Sequence, residues 1–168
     1  RLRASGLTVC PTVVTFKTLT AMSAFQTGSF PRSEYVSPKV REMWRLLWGQ
    51  QIDEPEYLWR NWARVVGQLN EAGVPLMVGT DLMLPGVLPG FSVHEEMAIW
   101  QDEARIAPAA VLRGATIVPA ELMGLGDRLG SVSEGKTASM VLVRANPLED
   151  VRNAEQIEGV FLRGRYLS

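Results

Sequence analysis

The chain is poor in the side chains that build self-contained metal or redox sites, with one cysteine, Cys10, and one histidine, His94, in 168 residues. A single thiol cannot form an internal disulfide, and a single imidazole can neither close a metal site nor supply a pair of ligands. Charge of one sign is also missing: 17 Lys and Arg are interspersed with 18 Asp and Glu for a net charge of -1. That balance leaves no electrostatic case for nucleic acid or an acidic membrane surface. No apolar run approaches the roughly 18 residues a membrane span needs. The opening Arg1-Leu2-Arg3-Ala4-Ser5 has neither an initiator methionine nor a signal-peptide core. The expectation is a soluble, cytoplasmic protein whose first residue is a cut end. The Gly86 to Gly90 loop lacks the Lys-Ser/Thr of a phosphate loop, which argues against a nucleotide site.

What is present is the patterning of a folded α/β chain, with 46% apolar residues and a mean hydropathy of +0.04. Residues 7–16, rich in β-branched side chains after Gly6, predict a buried strand that Pro11 bends or ends. The Gly, Pro and Ser of Gly28 to Pro38 predict a long loop. Helical spacing follows over residues 39–49, with Met43, Leu46 and Leu47, and over 56–72, with Leu58, Trp62, Val65, Val66 and Leu69. Gly73 stops the second helix, and the apolar run Val74 to Gly79 predicts another buried strand ending in Thr80-Asp81. Strand, helix, strand order favours parallel pairing through right-handed crossovers.

After the Leu84 to Gly90 loop, Ser92 and Glu95 stand at N-cap and N3 spacing, predicting a helix from about residue 93 to 104 with Val93, Met97, Trp100 and Ala104 on one face. Pro108 and Val118-Pro119 open two more helices, the last ended by Gly124. From Gly130 the texture changes to short β-like runs, Gly130 to Val132, Ala138 to Val143 and Gly159 to Leu167, separated by Gly and Pro turns.

Asp81 is the foremost chemical candidate, because a carboxylate at the C-terminal end of a buried parallel strand emerges where α/β enzymes place their sites. An aspartate there also caps turns through nearby backbone amides, and local sequence leaves both readings open. His94, in a first helical turn, reads as a surface or packing residue. Glu95 and Glu96 are expected from capping and the helix dipole. Cys10 reads as a small buried thiol without an activating base. Trp44 with Trp48, and Trp59 with Trp62, read as packing pairs.

Taken in order, these segments resemble the C-terminal half of the amidohydrolase superfamily, within its imidazolonepropionase-like and prolidase-like branch. Gly6 to Thr12 is similar to that family's seventh barrel strand, and Glu71 to Asp81, through Gly73-Val74-Pro75-Leu76, to the eighth. Pro89 to Glu96 resembles the loop into the last barrel helix, while Ala107 to Thr116 and Pro119 to Leu125 resemble the two helices that close the barrel. Leu129 to Lys136, Asn146-Pro147-Leu148 and Val160 to Gly164 resemble part of a small β-sandwich; Ala138-Ser139 stands where the family usually has Ala-Asp.

The resemblance implies a partial (β/α)8 TIM barrel over residues 1–128 followed by a β-sandwich segment over 129–168. It implies hydrolysis of carbon-nitrogen bonds in amides, cyclic amides or dipeptide-like substrates. Asp81 would then be both catalytic residue and metal ligand, taking a proton from metal-bound water and passing it to the leaving group. His94 would contact the small-molecule substrate. A divalent metal, zinc foremost, would need ligands absent from this chain, since the family's His-x-His on strand one and its ligands on strands four to six have no counterpart here. The expectation is therefore a missing N-terminal portion or a homo-oligomer. The alternative is a non-catalytic, truncated chain acting as a binding or assembly module.

Overall fold

The structure, a computed structural model, describes residues 3–28, 30–48, 50–82 and 84–167. Seven α-helices are described, α1 (Val13–Thr18), α2 (Ser23–Thr27), α3 (Pro38–Trp48), α4 (Glu56–Glu71), α5 (Phe91–Asp102), α6 (Pro108–Ala115) and α7 (Ile117–Leu122). They precede a three-stranded antiparallel sheet ordered β1 (Met140–Val143), β2 (Ile157–Leu162), β3 (Arg165–Leu167). A 3-10 turn, Val151–Glu155, lies between β1 and β2. The chain is thus α/β. No described helix is long and apolar enough to cross a membrane.

The two expected buried strands survive as extended segments that pair in parallel at a single bridge, Val9 with Leu76. Val9 N–H donates to Pro75 O and Met77 N–H to Val9 O, each at 2.9 Å. On the other side of the second segment, Val78 N–H donates to Gly114 O at 2.9 Å. The first strand is shorter than its composition predicts. Pro11 lacks an N–H, Thr12 turns into the left-handed region at φ 45°, and the chain is helical from Val13. Val13, Val14 and Thr15 are β-branched, yet their helix is capped by a carboxylate distant in sequence. Tertiary contact overrides local propensity here.

The main core gathers Val13 and Val14 of α1, Trp59, Ala63 and Val66 of α4, Val74 and Leu76 of the second segment, Met97, Ile99 and Trp100 of α5, Val111 of α6, and Val151. Burying a side chain as large as Trp100, 1% exposed, stabilises by about 2–3 kcal/mol. A second cluster, Met22, Phe25, Phe30, Val36, Trp44 and Leu88, packs α2 against α3 with Trp48 at its edge. Both tryptophan pairs therefore pack, as their spacing predicts. Gly67 lets α4 approach the Ala104 carbonyl so closely that a Cβ there would lie 2.4 Å from its oxygen.

Several expectations need correction. Helix α3 presents Met43, Leu46 and Leu47 to solvent and buries Trp44, and α4 leaves Leu58 and Val65 exposed while burying Trp59, Ala63 and Val66. In α3 the buried face is the one that carries Trp44, with Trp48 at its edge, whereas in α4 Trp62, Val66 and Leu69 of the expected set do pack on the main core. Gly49, the predicted end of α3, lies outside the described residues, as do Ser29, within the predicted Gly28 to Pro38 loop, and Met83, just before the predicted Leu84 to Gly90 loop. Helix α5 starts at Phe91 after Gly90, whose φ of 81° suits glycine. Ser92 is not its cap; its hydroxyl accepts from Leu88 N–H at 2.9 Å, and Glu95 reaches Arg32 instead. Gly130 to Val132 forms no strand.

Candidate active site

The two extended segments run the same way, so their C-terminal ends, Cys10-Pro11-Thr12 and Gly79-Thr80-Asp81, lie side by side. Gly79 makes this closeness possible, since a Cβ on it would fall 2.3 Å from Cys10 Sγ. Both ends finish in the left-handed region without glycine, Thr12 at φ 45° and Asp81 at φ 50°. Aspartate tolerates that region, whereas for a β-branched threonine it is a genuine outlier. Such conformations concentrate at functional sites.

Asp81 is exposed, and among the described residues its carboxylate makes no hydrogen bond or ion pair. The turn-capping alternative would use the amide two residues on, at Met83, which lies outside the described residues. The backbone before it is held firmly, because Thr80 O accepts the buried hydroxyl of Thr15 at 2.8 Å. Pro11 O accepts Trp62 Nε1 at 2.9 Å, tying the other segment end to α4.

Beneath these ends lies Glu96, fully buried at 0% exposure. Its carboxylate accepts Val13 N–H at 3.0 Å and Val14 N–H at 2.6 Å, two of the free amides opening α1, and Trp100 Nε1–H at 2.7 Å. Burial pushes Glu96 above the ordinary glutamate range, against the lowering effect of these three donors. The first-turn acid that sequence reads as dipole complement is in fact the cap of another helix. A signal for it existed: Glu96 falls on the same face as Val93, Met97 and Trp100, and an acid inside an apolar stripe calls for partners.

Cys10 is exposed, not buried as its setting predicts. Partial burial first, then the nearby carboxylates Glu96 and Asp81, hold its thiol above its ordinary value, so it stays protonated and is a poor nucleophile. His94 is half-buried, and its Nδ1 is enclosed without a hydrogen-bond partner among the described residues. No described hydrogen bond joins it to Asp81. Arg32 pairs with Glu95 and lies over the Phe91 ring, 4.6 Å from its centre.

Two cavities flank this region. One of about 210 Å³ lies against α1 and is lined in part by Lys17, Phe25, Phe30, Arg32 and Glu95. Another, of about 390 Å³, opens at the opposite end of the segments beside Thr8, Pro75, Arg113 and Glu121. Neither includes Asp81 or His94 in its lining.

These residues do not by themselves make a metal site. Among the described residues no three His, Cys, Asp or Glu side chains are grouped to hold an ion. Both Glu96 oxygens are committed to backbone and indole donors, which leaves Asp81 as one carboxylate beside a protonated thiol.

Comparison with known proteins places this geometry. An imidazolonepropionase from Deinococcus radiodurans is 31% identical over 103 residues, covering 60% of this chain and 25% of that protein. A solved bottromycin amidohydrolase superposes with a TM-score of 0.76 at 27% identity, covering 97% of this chain and 37% of that one. A solved Xaa-Pro dipeptidase with bound methionine gives a TM-score of 0.68 over 98% of this chain and 35% of its own; at 21% identity that likeness is one of fold. The chain spans about a quarter of the length of the first curated relatives it matches. The amidohydrolase family profile matches residues 34–167, most of the chain, and the chain belongs to the amidohydrolase family.

Proposed function

We propose that this chain forms the C-terminal part of a hydrolase of carbon-nitrogen bonds, acting on amides, cyclic amides or dipeptide-like substrates, with Asp81 as its proton-handling carboxylate. The observation that carries the reading is the conformation and freedom of Asp81. It is exposed, unpaired among the described residues, and held in the left-handed region at the shared C-terminal end of two parallel segments. Among the described residues no bond has to break before this carboxylate accepts a proton.

In this reading residues 1–128 contribute the last strands and closing helices of a (β/α)8 barrel and residues 129–168 part of a β-sandwich. His94 contacts substrate. Asp81 is also one ligand of a divalent metal, zinc foremost, whose other ligands come from outside these residues. Exposed apolar side chains on α3 and α4, Met43, Leu46, Leu47, Tyr57 and Leu58, support packing against further polypeptide, either an N-terminal portion or a second copy.

The test is Asp81→Asn in the natural full-length protein, assayed with imidazolonepropionate and with a Xaa-Pro dipeptide. Loss of a general acid-base group lowers turnover by about 100- to 10,000-fold, with circular dichroism unchanged. Full turnover by the variant on either substrate defeats the assignment.

The second reading, a non-catalytic binding or assembly module, draws on the same exposed apolar faces and on the lack of a grouped metal site among the described residues. It expects oligomers in light scattering and no hydrolysis by the natural protein. A catalytically silent, monodisperse monomer contradicts both readings.

A further inference from the structure

We propose that Thr15 and Glu96 are positioning residues for Asp81: Glu96 fixes the start of α1, and Thr15, in the first turn of that helix, fixes the Thr80–Asp81 peptide that sets the conformation of Asp81. The inference rests on the reading of Asp81 as the working carboxylate and adds the two residues that aim it.

Helix α1 has six residues, too few to hold together on its own. Thr12 at its N-cap makes no side-chain cap bond. That task falls to Glu96, on α5, whose two oxygens take the Val13 and Val14 amides. The start of α1 is thereby referred to α5 and, through the Trp100 indole on the same carboxylate, to the main core.

Thr15 then makes an unusual choice. A helical threonine ordinarily bonds the carbonyl three or four residues back, and Thr18 in the same helix does so, to Val14 O at 2.9 Å and Thr15 O at 2.8 Å. For Thr15 the carbonyl four back is Pro11 O, which already accepts Trp62 Nε1. The Thr15 hydroxyl crosses instead to Thr80 O at 2.8 Å. Thr80 O and the Asp81 N–H belong to one planar peptide, so holding the oxygen orients the plane from which the Asp81 φ of 50° is measured. A left-handed non-glycine residue persists only where its surroundings over-determine it, and this bond supplies that constraint. Thr15 is buried, 6% exposed as a residue, which limits competition from water for this bond.

Thr80–Asp81 is the one Thr-Asp pair within these 168 residues; in the natural protein, threonine labelled at its carbonyl carbon and aspartate labelled at nitrogen report this peptide as the resonance that is lost in Asp81→Asn. The experiment compares that resonance, and turnover of the two substrates above, in wild type, Thr15→Val, Thr15→Ser and Glu96→Gln of the natural protein. Thr15→Val keeps the shape and removes the donor; Thr15→Ser keeps the donor. The expected result is a displaced resonance in Thr15→Val and Glu96→Gln, near wild type in Thr15→Ser. With it, kcat falls about 10- to 100-fold while KM changes less than about 3-fold, because misaiming a reacting group costs rate rather than binding. Serine restores both. An unmoved resonance in a folded Thr15→Val overturns the inference whatever turnover does. A moved resonance with unchanged kcat overturns it while leaving the role of Asp81 intact. Full activity in Asp81→Asn removes the reading of Asp81 itself and the inference with it. If Thr15→Val fails to fold, Thr15→Ser against Glu96→Gln makes the same comparison.

Discussion

Glu96 and Val14 lie 82 residues apart in sequence and meet at 2.6 Å, carboxylate oxygen to backbone amide, in the interior of the molecule. Replacing Glu96 with Gln leaves one oxygen for three donors. Buried bonds to a charged group are worth about 1.5–3 kcal/mol, so Glu96→Gln should lower the unfolding free energy by about 2–3 kcal/mol in urea titrations.

That loss should depend on pH with a particular sign. Burial raises Glu96 above its unfolded value, so the folded state holds the proton more tightly. The stabilisation from this shift is fully present below the ordinary glutamate range and is lost as pH rises through the raised value. The stability gap between wild type and Glu96→Gln should therefore narrow from pH 4 towards neutrality and above. A gap that widens over that window would mean the three donors outweigh desolvation.

Asp53 should show the opposite trend. The Ser23 amide and hydroxyl, each 2.7 Å away, hold this exposed carboxylate below its ordinary range, the amide most strongly. Its contribution is present above the unfolded value and lost as pH falls through the lowered one. A carboxyl-carbon titration should find its midpoint below that of a model aspartate. Ser23→Ala should move the midpoint part of the way back up.

Gly67→Ala sets two effects against each other. Alanine is the better helix former by about 1 kcal/mol, but its methyl would meet the Ala104 carbonyl oxygen at 2.4 Å, and a backbone atom yields little. Overpacking of this kind costs about 1–3 kcal/mol. Thermal unfolding should show net destabilisation. A rise in the midpoint would show that α4 and the backbone at Ala104 separate easily.

Lys136 donates to Gly126 O at 2.6 Å, Leu129 O at 3.3 Å and Ser131 Oγ at 2.8 Å. It gathers the turn that leads into the sheet, where Thr137 N–H bonds Arg128 O at 3.0 Å. Lys136→Met should cost about 1 kcal/mol. Hydrogen exchange at the Thr137 amide should accelerate several-fold; exchange at the wild-type rate would show that the turn holds without the lysine.

Much of the frame was legible in sequence because it is written in local signals. Gly73 marks the end of α4, Pro108 the start of α6, and the turn residues around Asn146-Pro147 and Arg163-Gly164 separate strands that do form. What sequence could not show depends on pairs far apart along the chain. The helix at Val13 exists because a carboxylate more than 80 residues away caps it, so β-branched residues that read as strand are helical. Ser92 and Glu95 match a capping pattern, yet Arg32 and Leu88 compete for their side chains and win. Of the candidate site, the segment ending in Asp81 stands out in sequence, while Thr15 looks like any helical threonine until the fold brings Thr80 beside it.

Val151 is 1% exposed within the main core, and the residues around it are fastened to α5. Gln101 accepts the Val151 amide at 2.9 Å and donates to Asp150 at 3.1 Å, and Arg152 pairs with Asp102. The small sheet therefore hangs from a peg driven into the helical part, on the far side of residue 129. Deleting the residues beyond it would remove the peg as well as the sheet. In the intact chain the two segments should melt in one step, and a protease that nicks the Gly130 to Gly135 turn should leave both pieces together until denaturant is added.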